Sequence, residues 1–159
     1  MRGCDGRTEV LYLASHGDES HIYPNGADGI GRAEVRSALI AANVGGQIKG
    51  LFLGTCLSGN TEMARFFPER PETSLDWVAG YGRSVDWVDG SAIDMIFFSK
   101  PAQLYVANER KRKAIRDSPR SMAHAAATAL VKLVQGAYSA YGFNIYFHEN
   151  GRLTSMFAE

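Results

Sequence analysis

The sequence predicts an α/β domain with a mainly parallel sheet flanked by helices and a C-terminal β-hairpin, and three observations carry that expectation. Two short apolar runs, Val10 to Ala14 (VLYLA) and Ile48 to Thr55 (IKGLFLGT), bracket a stretch with helical apolar spacing, the pattern of a strand, a crossover helix and a parallel strand. A further segment, LDWVAGYG, has the apolar content and terminal glycines of a third parallel strand. Near the end, Phe143, Ile145 and Phe147 alternate before Asn150-Gly151, a dipeptide that favours tight hairpin turns.

The first apolar run ends at Ser15-His16-Gly17 and the second at Cys56, and both read as buried strands because neither alternates with polar residues. Between them Val35, Ala38, Leu39 and Ala42 share a helix face, and Gly45-Gly46 closes the helix. After Cys56, LSGNTEMARFFP supplies Ser58 or Asn60 as a cap, Met63, Phe66 and Phe67 as an apolar face and Pro68 as a stop, which places a short helix almost at the cysteine. PERPETS reads as a loop. Another short helix, Ser91 to Phe98, is expected to end before Pro101. The chain is strongly charged from Gln103 to Arg120. The longest amphipathic helix then runs from Ser121 to Tyr138, with Met122, Ala126, Leu130, Leu133 and Ala137 on one face.

A chain of 159 residues, 45% hydrophobic and 21% charged, suits one domain over residues 1–159. Basic and acidic residues number 17 each, so no net field points to nucleic acid or to an anionic membrane, and neither partner is expected. The two cysteines, Cys4 in an N-terminus expected to fray and Cys56 in an apolar stretch, are too few for a disulfide framework, which makes a reducing, cytoplasmic setting the default. The stretch MRGCDGRTEV lacks the apolar run of a signal peptide, and no window approaches about eighteen uninterrupted apolar residues, so a soluble protein is expected.

In open α/β sheets functional residues gather beyond the carboxyl ends of the strands, where His16 and Cys56 both lie. Cysteine attacks as the thiolate, a charge favoured by a nearby imidazole and by a helix N-terminus, and the expected fold offers Cys56 both. The backbone N–H groups of Gly17 and Cys56 could meet a developing oxyanion, and glycine at 17 and 59 lets backbone approach closely. Taken alone, a cysteine ending a buried strand is more often a small core hydrophobe. The matching His-Gly strand end shifts the balance towards a dyad.

These stretches resemble a known family. LYLASHGDE is similar to the apolar block and His-Gly motif of caspase-like cysteine peptidases, and GLFLGTCLSGN to the second block ending in their nucleophilic cysteine, in the same order. Ser15-His16-Gly17-Asp18 resembles metacaspases and bacterial domains of the CHAT type, Cys56-Leu57-Ser58-Gly59 resembles metacaspases and legumains, and VAGYGRSVDWVDGSAIDMIFF looks like the strand, loop and helix that follow. The resemblance covers residues 9 to 99. It implies a caspase-like three-layer sandwich and peptide-bond cleavage by a Cys-His dyad without metal or other cofactor. His16 would be general base and acid, Cys56 the nucleophile, and Gly17 with Cys56 the oxyanion donors. Family domains usually carry a strand and helix before the histidine strand, so a minimal version, a fragment, or a domain needing a partner chain or a homo-oligomer all stay open. Val88 stands where a caspase has its substrate-reading arginine, which argues against selection of an acidic substrate residue.

Asp86, Trp87 and Asp89 lie in the loop where relatives build the primary specificity pocket. A carboxylate there would favour a Lys or Arg side chain of the substrate, while the plainer reading is two aspartates capping the next helix and a tryptophan filling core. His21 reads as a solvated loop residue, and His124 and His148 as structural. The histidines and cysteines show no metal-ligand spacing. The run from Arg110 to Arg120 is a solvated face or linker more readily than a nucleic-acid or processing site. A serine hydrolase would need a G-x-S-x-G elbow, which does not occur. Two functions compete: a cysteine endopeptidase acting on protein or peptide, and an inactive interaction or signalling module of the same fold.

Overall fold

The computed structural model describes residues 9–24 and 28–157, and Cys4 lies outside them. Strand β1 (Val10–Ala14) gives way after Ser15 to β2 (His16–Gly17), which pairs antiparallel with β3 (His21–Tyr23), itself paired with β4 (Ile30–Gly31). This small sheet replaces the loop expected around His21. Helix α1 (Arg32–Ala42) follows, its start held by Glu34 Oε2 accepting from the Gly31 N–H at 3.0 Å. The chain then forms β5 (Gly50–Gly54), α2 (Thr61–Phe66), β6 (Trp77–Tyr81), α3 (Trp87–Glu109), α4 (Pro119–Leu133), α5 (Ala137–Tyr141), β7 (Phe143–Glu149) and β8 (Arg152–Ser155).

The main sheet has the order β1-β5-β6-β7-β8. Its first three strands are parallel, whereas β7 and β8 are antiparallel to their neighbours. Period-two alternation sends Leu51 and Leu53 to one face and Phe52 to the other. On the first face they meet Leu39 of α1 and Met63 and Ala64 of α2, and on the second Phe52 and Trp77 pack with Ile93 and Phe97 of α3 and Ala126 and Leu130 of α4. Helices thus cover both faces, an arrangement that suits the caspase-like sandwich without being specific to it. The hairpin is as expected: Asn150 and Gly151 both take positive φ, 50° and 76°, the geometry that matches the right-handed twist of paired strands.

Several expectations need correction. β1 is an edge strand, so its apolar run is not fully buried and Tyr12 is 43% exposed. The helix expected over Ser91 to Phe98 is α3, which runs through Pro101 to Glu109. A proline inside a helix costs about 3 kcal/mol, here offset by the packing of α3 along α4. The long final helix is two, because Gly136 at φ 91° turns the chain between α4 and α5, and Leu133, expected on the buried face, ends α4 at 72% exposed. In the basic run Arg110, Arg112, Lys113 and Arg116 are exposed, as a solvated segment requires, while Lys111 pairs with Asp117 at 2.7 Å and Arg120 pairs with Glu149 at 3.1 Å and lies over the Phe147 ring.

A buried asparagine ties the end of α1 to the approach to β5. Asn43 donates through Nδ2 to the carbonyls of Ile48 and Thr73 at 2.9 and 2.8 Å, and its Oδ1 accepts from the Ile48 N–H at 2.9 Å. Every polar atom of that side chain is thereby engaged, the condition for tolerating it in the core. Asn43→Ala would strand those backbone groups, and we expect a loss of about 3 kcal/mol, or roughly 6 to 12 °C in the thermal midpoint. A calorimetric midpoint equal to that of the wild type would show the anchor to be dispensable.

Candidate active site

The parallel register sets the site. Ala14 of β1 is the partner of Gly54 of β5, so His16 and Cys56 each stand two residues beyond a paired position on neighbouring strands, whose spacing is about 5 Å. Both residues line one narrow cavity of about 60 Å³. The two loops also touch directly: a Cβ on Gly17 would lie 3.0 Å from Thr55 Cβ, so glycine there lets the His-Gly segment close on the strand that delivers the cysteine.

Cys56 is half-buried, and its surroundings come from the segment after β6 rather than from a helix. α2 begins only at Thr61, capped by Asn60, five residues past the cysteine, so the expected helix N-terminus beside the sulfur is absent. Instead the Val85 N–H donates to Sγ at 3.4 Å and the Ser84 hydroxyl lies 3.9 Å away, while a protonated Sγ can donate to the Val85 carbonyl at 3.5 Å. An N–H, a hydroxyl and a carbonyl of the segment after β6 thus lie against the sulfur. The cysteine loop is itself tied down. Leu57 takes positive φ, Ser58 donates to the Thr55 carbonyl at 2.9 Å, and the Gly59 N–H reaches the Tyr81 carbonyl at 2.8 Å. A side chain on Gly59 would collide with the backbone of Gly80 and Tyr81, so this glycine serves a close approach between loop and strand.

The histidine loop is braced by Asp18. Its carboxylate accepts from the Tyr23 hydroxyl at 2.6 Å and from the backbone N–H groups of Ser20 and His21 at 2.8 and 2.7 Å, contacts that hold it well below the usual carboxylate range. His21 is exposed in β3, with Ser20 Oγ 2.8 Å from its Nδ1.

A phenol, carboxylate and phenol bridge lines the same cavity. Tyr12 donates to Asp94 Oδ2 and Tyr81 to Asp94 Oδ1, each at 2.5 Å, crossing the sheet over Gly54. A Cβ at Gly54 would meet Tyr12 Cε2 at 2.8 Å and Asp94 Oδ2 at 3.1 Å, so only glycine leaves room for the bridge. Burial pushes the Asp94 carboxyl up, and the two hydroxyl donors pull it back in part. Both phenols are driven far above their ordinary range by burial first and then by the carboxylate.

Of the residues the sequence singled out, Asp86 and Trp87 line the cavity alongside His16 and Cys56. Asp86 also caps α3, accepting from the Val88 N–H at 2.8 Å, and Trp87 is 65% exposed and does not fill core. Asp89 faces elsewhere and accepts from the Tyr141 hydroxyl at 2.7 Å. Tyr12, Tyr81 and Asp94 were missed, although a carboxylate within the apolar stretch SAIDMIFF is a readable sign of a buried charge with a purpose. His124 is exposed with its ring 5.9 Å from that of Phe147, and the His148 N–H reaches the Asp76 carbonyl at 2.8 Å. Among the described residues no three His, Cys, Asp or Glu side chains are arranged to hold a metal ion.

Two outcomes follow from this geometry. Tyr81→Phe leaves a buried carboxylate oxygen without its donor, and we expect a loss of about 2 kcal/mol, seen as a lower midpoint in urea with an unchanged slope; an unaltered midpoint would discount the bridge. Asp18, followed by NMR, should titrate below the ordinary carboxylate range, its contribution to stability being complete above that range and fading as the pH falls through the folded-state value. A normal titration would remove the bracing role. No protein-family model, curated protein or solved structure matches this chain.

Proposed function

We propose that this chain is a caspase-like cysteine endopeptidase that cleaves protein or peptide substrates. The carrying observation is the convergence of His16 and Cys56 on one cavity at the carboxyl ends of neighbouring parallel strands. In this reading His16 takes the proton of the Cys56 thiol, and the sulfur attacks the scissile carbonyl carbon and forms a C–S bond. The oxyanion is met by the backbone N–H groups of Gly17 and Cys56. His16 protonates the leaving amine as the C–N bond breaks, then takes a proton from the water that hydrolyses the thioester. The resemblance of LYLASHGDE and GLFLGTCLSGN to the family motifs supports the same assignment.

A second reading, an inactive interaction or signalling module, draws on the fact that Sγ is engaged by Val85 and Ser84 of its neighbouring loop. Among the described residues no strand pairs with the outer side of β1, which gives such a module, or a second copy of an active domain, a place to pair. Among the described residues no helix is long and apolar enough to cross a membrane.

On fluorogenic peptides, Cys56→Ala should lower turnover by at least about four orders of magnitude and His16→Ala by at least about two, with Cys56→Ala also losing labelling by a thiol-reactive peptide probe. Cleavage retained in Cys56→Ala would overturn the peptidase reading.

A further inference from the structure

Formal charge sums to zero over the whole chain, yet it is not spread evenly: Arg110, Lys111, Arg112, Lys113 and Arg116 all fall on the connection between α3 and α4. That connection is an ordered loop. Its neck is closed by Asn108, only 7% exposed, which donates through Nδ2 to the Asp117 carbonyl and accepts the Asp117 N–H, both at 2.9 Å. Lys111 is neutralised by Asp117 at the same neck. Within the loop the Lys111 N–H reaches the Asn108 carbonyl at 3.0 Å, a turn of 3-10 helix runs over Lys113–Ile115, and Arg116 Nε donates to the Lys111 carbonyl at 3.3 Å.

This frame displays charge without counter-charge. Arg110, Arg112, Lys113 and Arg116 are exposed, and among the described residues none of the four has a carboxylate partner. Like charges held this close repel one another, a cost that an extended, solvated linker escapes. Two aliphatic side chains stand among the cations. Ile115 is 66% exposed, and Val106, 53% exposed, lies one turn before Arg110 and shares its side of the helix. Ordered, unpaired cations around exposed aliphatic carbon are the chemistry of a surface that meets anionic headgroups and the apolar layer beneath them. A nucleic acid or an acidic peptide would engage the cations and leave the aliphatic side chains in water, and no aromatic ring on which a base could stack lies between Val106 and Asp117.

The position of the loop suits such a role. α3 has 23 residues, so its rise sets the loop about 33 Å from Trp87, which lines the cavity of His16 and Cys56. A chain resting on the loop would keep that cavity away from the lipid and open to solvent.

We propose that the loop from Glu109 to Arg116 is a docking surface for anionic lipid bilayers, with Arg110, Arg112, Lys113 and Arg116 meeting the headgroups and Ile115 entering the interface. The proposal is independent of the peptidase reading.

It is tested by sedimenting the full chain with vesicles of phosphatidylcholine alone or of phosphatidylcholine with about one part in three phosphatidylserine. At about 0.1 M salt the wild type should partition onto the phosphatidylserine vesicles at least about tenfold more strongly than onto phosphatidylcholine, and about 0.5 M salt should release it. Arg112→Glu combined with Lys113→Glu should lower that partition at least about tenfold, and Ile115→Asp at least about threefold. Arg70→Glu combined with Lys132→Glu makes the same change of net charge at exposed cations outside the loop, and should alter it by less than about twofold. Equal partition onto both vesicles, or an equal loss in the two double variants, would overturn the proposal. Binding to a polyuridine strand by a protein that ignores the vesicles would assign the loop to nucleic acid and overturn it as well. The wild-type comparison decides even if a loop variant does not fold.

Discussion

Parallel pairing of β1, β5 and β6 is the constraint on which everything at the site depends. Because Ala14 is level with Gly54 and Leu53 with Gly80, three segments of chain leave the sheet at the same height and on the same side. The histidine, the cysteine and the loop that carries Ser84 and Val85 are therefore neighbours by construction. A slip of one residue between β1 and β5 would send Leu51, Phe52 and Leu53 to the wrong faces, since side chains alternate with period two, and would put the His16 and Cys56 segments out of step. Register is secured from both faces, by Leu51 and Leu53 against α1 and α2 and by Phe52 and Trp77 against α3.

The site occupies a stretch of sheet that has been cleared of side chains. Gly50 makes room for the Trp77 ring, Gly54 for the bridge from Tyr12 to Asp94, and Gly59 for the backbone of β6. Each sits where a Cβ would collide with a ring, a carboxylate or another strand. The cavity beneath Cys56 is thus a consequence of glycine on β5 combined with large aromatic residues on β1 and β6. It is not a gap left by poor packing, since Phe52 and Tyr81 beside it are almost fully buried.

Asp94 is a buried carboxyl that costs the fold stability. Helix α3 brings it down onto the sheet between Ile93 and Phe97, in surroundings that disfavour its charge. Because burial raises its folded-state pKa above the unfolded value, the native state holds that proton more tightly, and stability declines as the pH rises through the folded value. The two phenols reduce this cost without removing it. A fold under selection for stability alone would place an apolar residue there, and buried groups that break local rules in this way are characteristic of functional sites.

Much of the fold was legible in the sequence by itself. The apolar runs marked β1, β5 and β6, the spacing of Val35 to Ala42 marked α1, Ser58 or Asn60 marked the start of α2, of which the fold uses Asn60, and Asn150-Gly151 marked the hairpin, all because these signals are local. His16 and Cys56 were readable as strand-terminal residues for the same reason. Tertiary structure decided the rest. Burial along β1 depends on its place at the sheet edge, which the composition of VLYLA does not encode, and α3 passes Pro101 because α4 packs beside it. The donors around the Cys56 sulfur come from residues almost thirty positions away, and the bridge joins Tyr12 to Asp94 across 82 positions. No periodicity signals such contacts, because they exist only once three strands share one register and a helix closes over them.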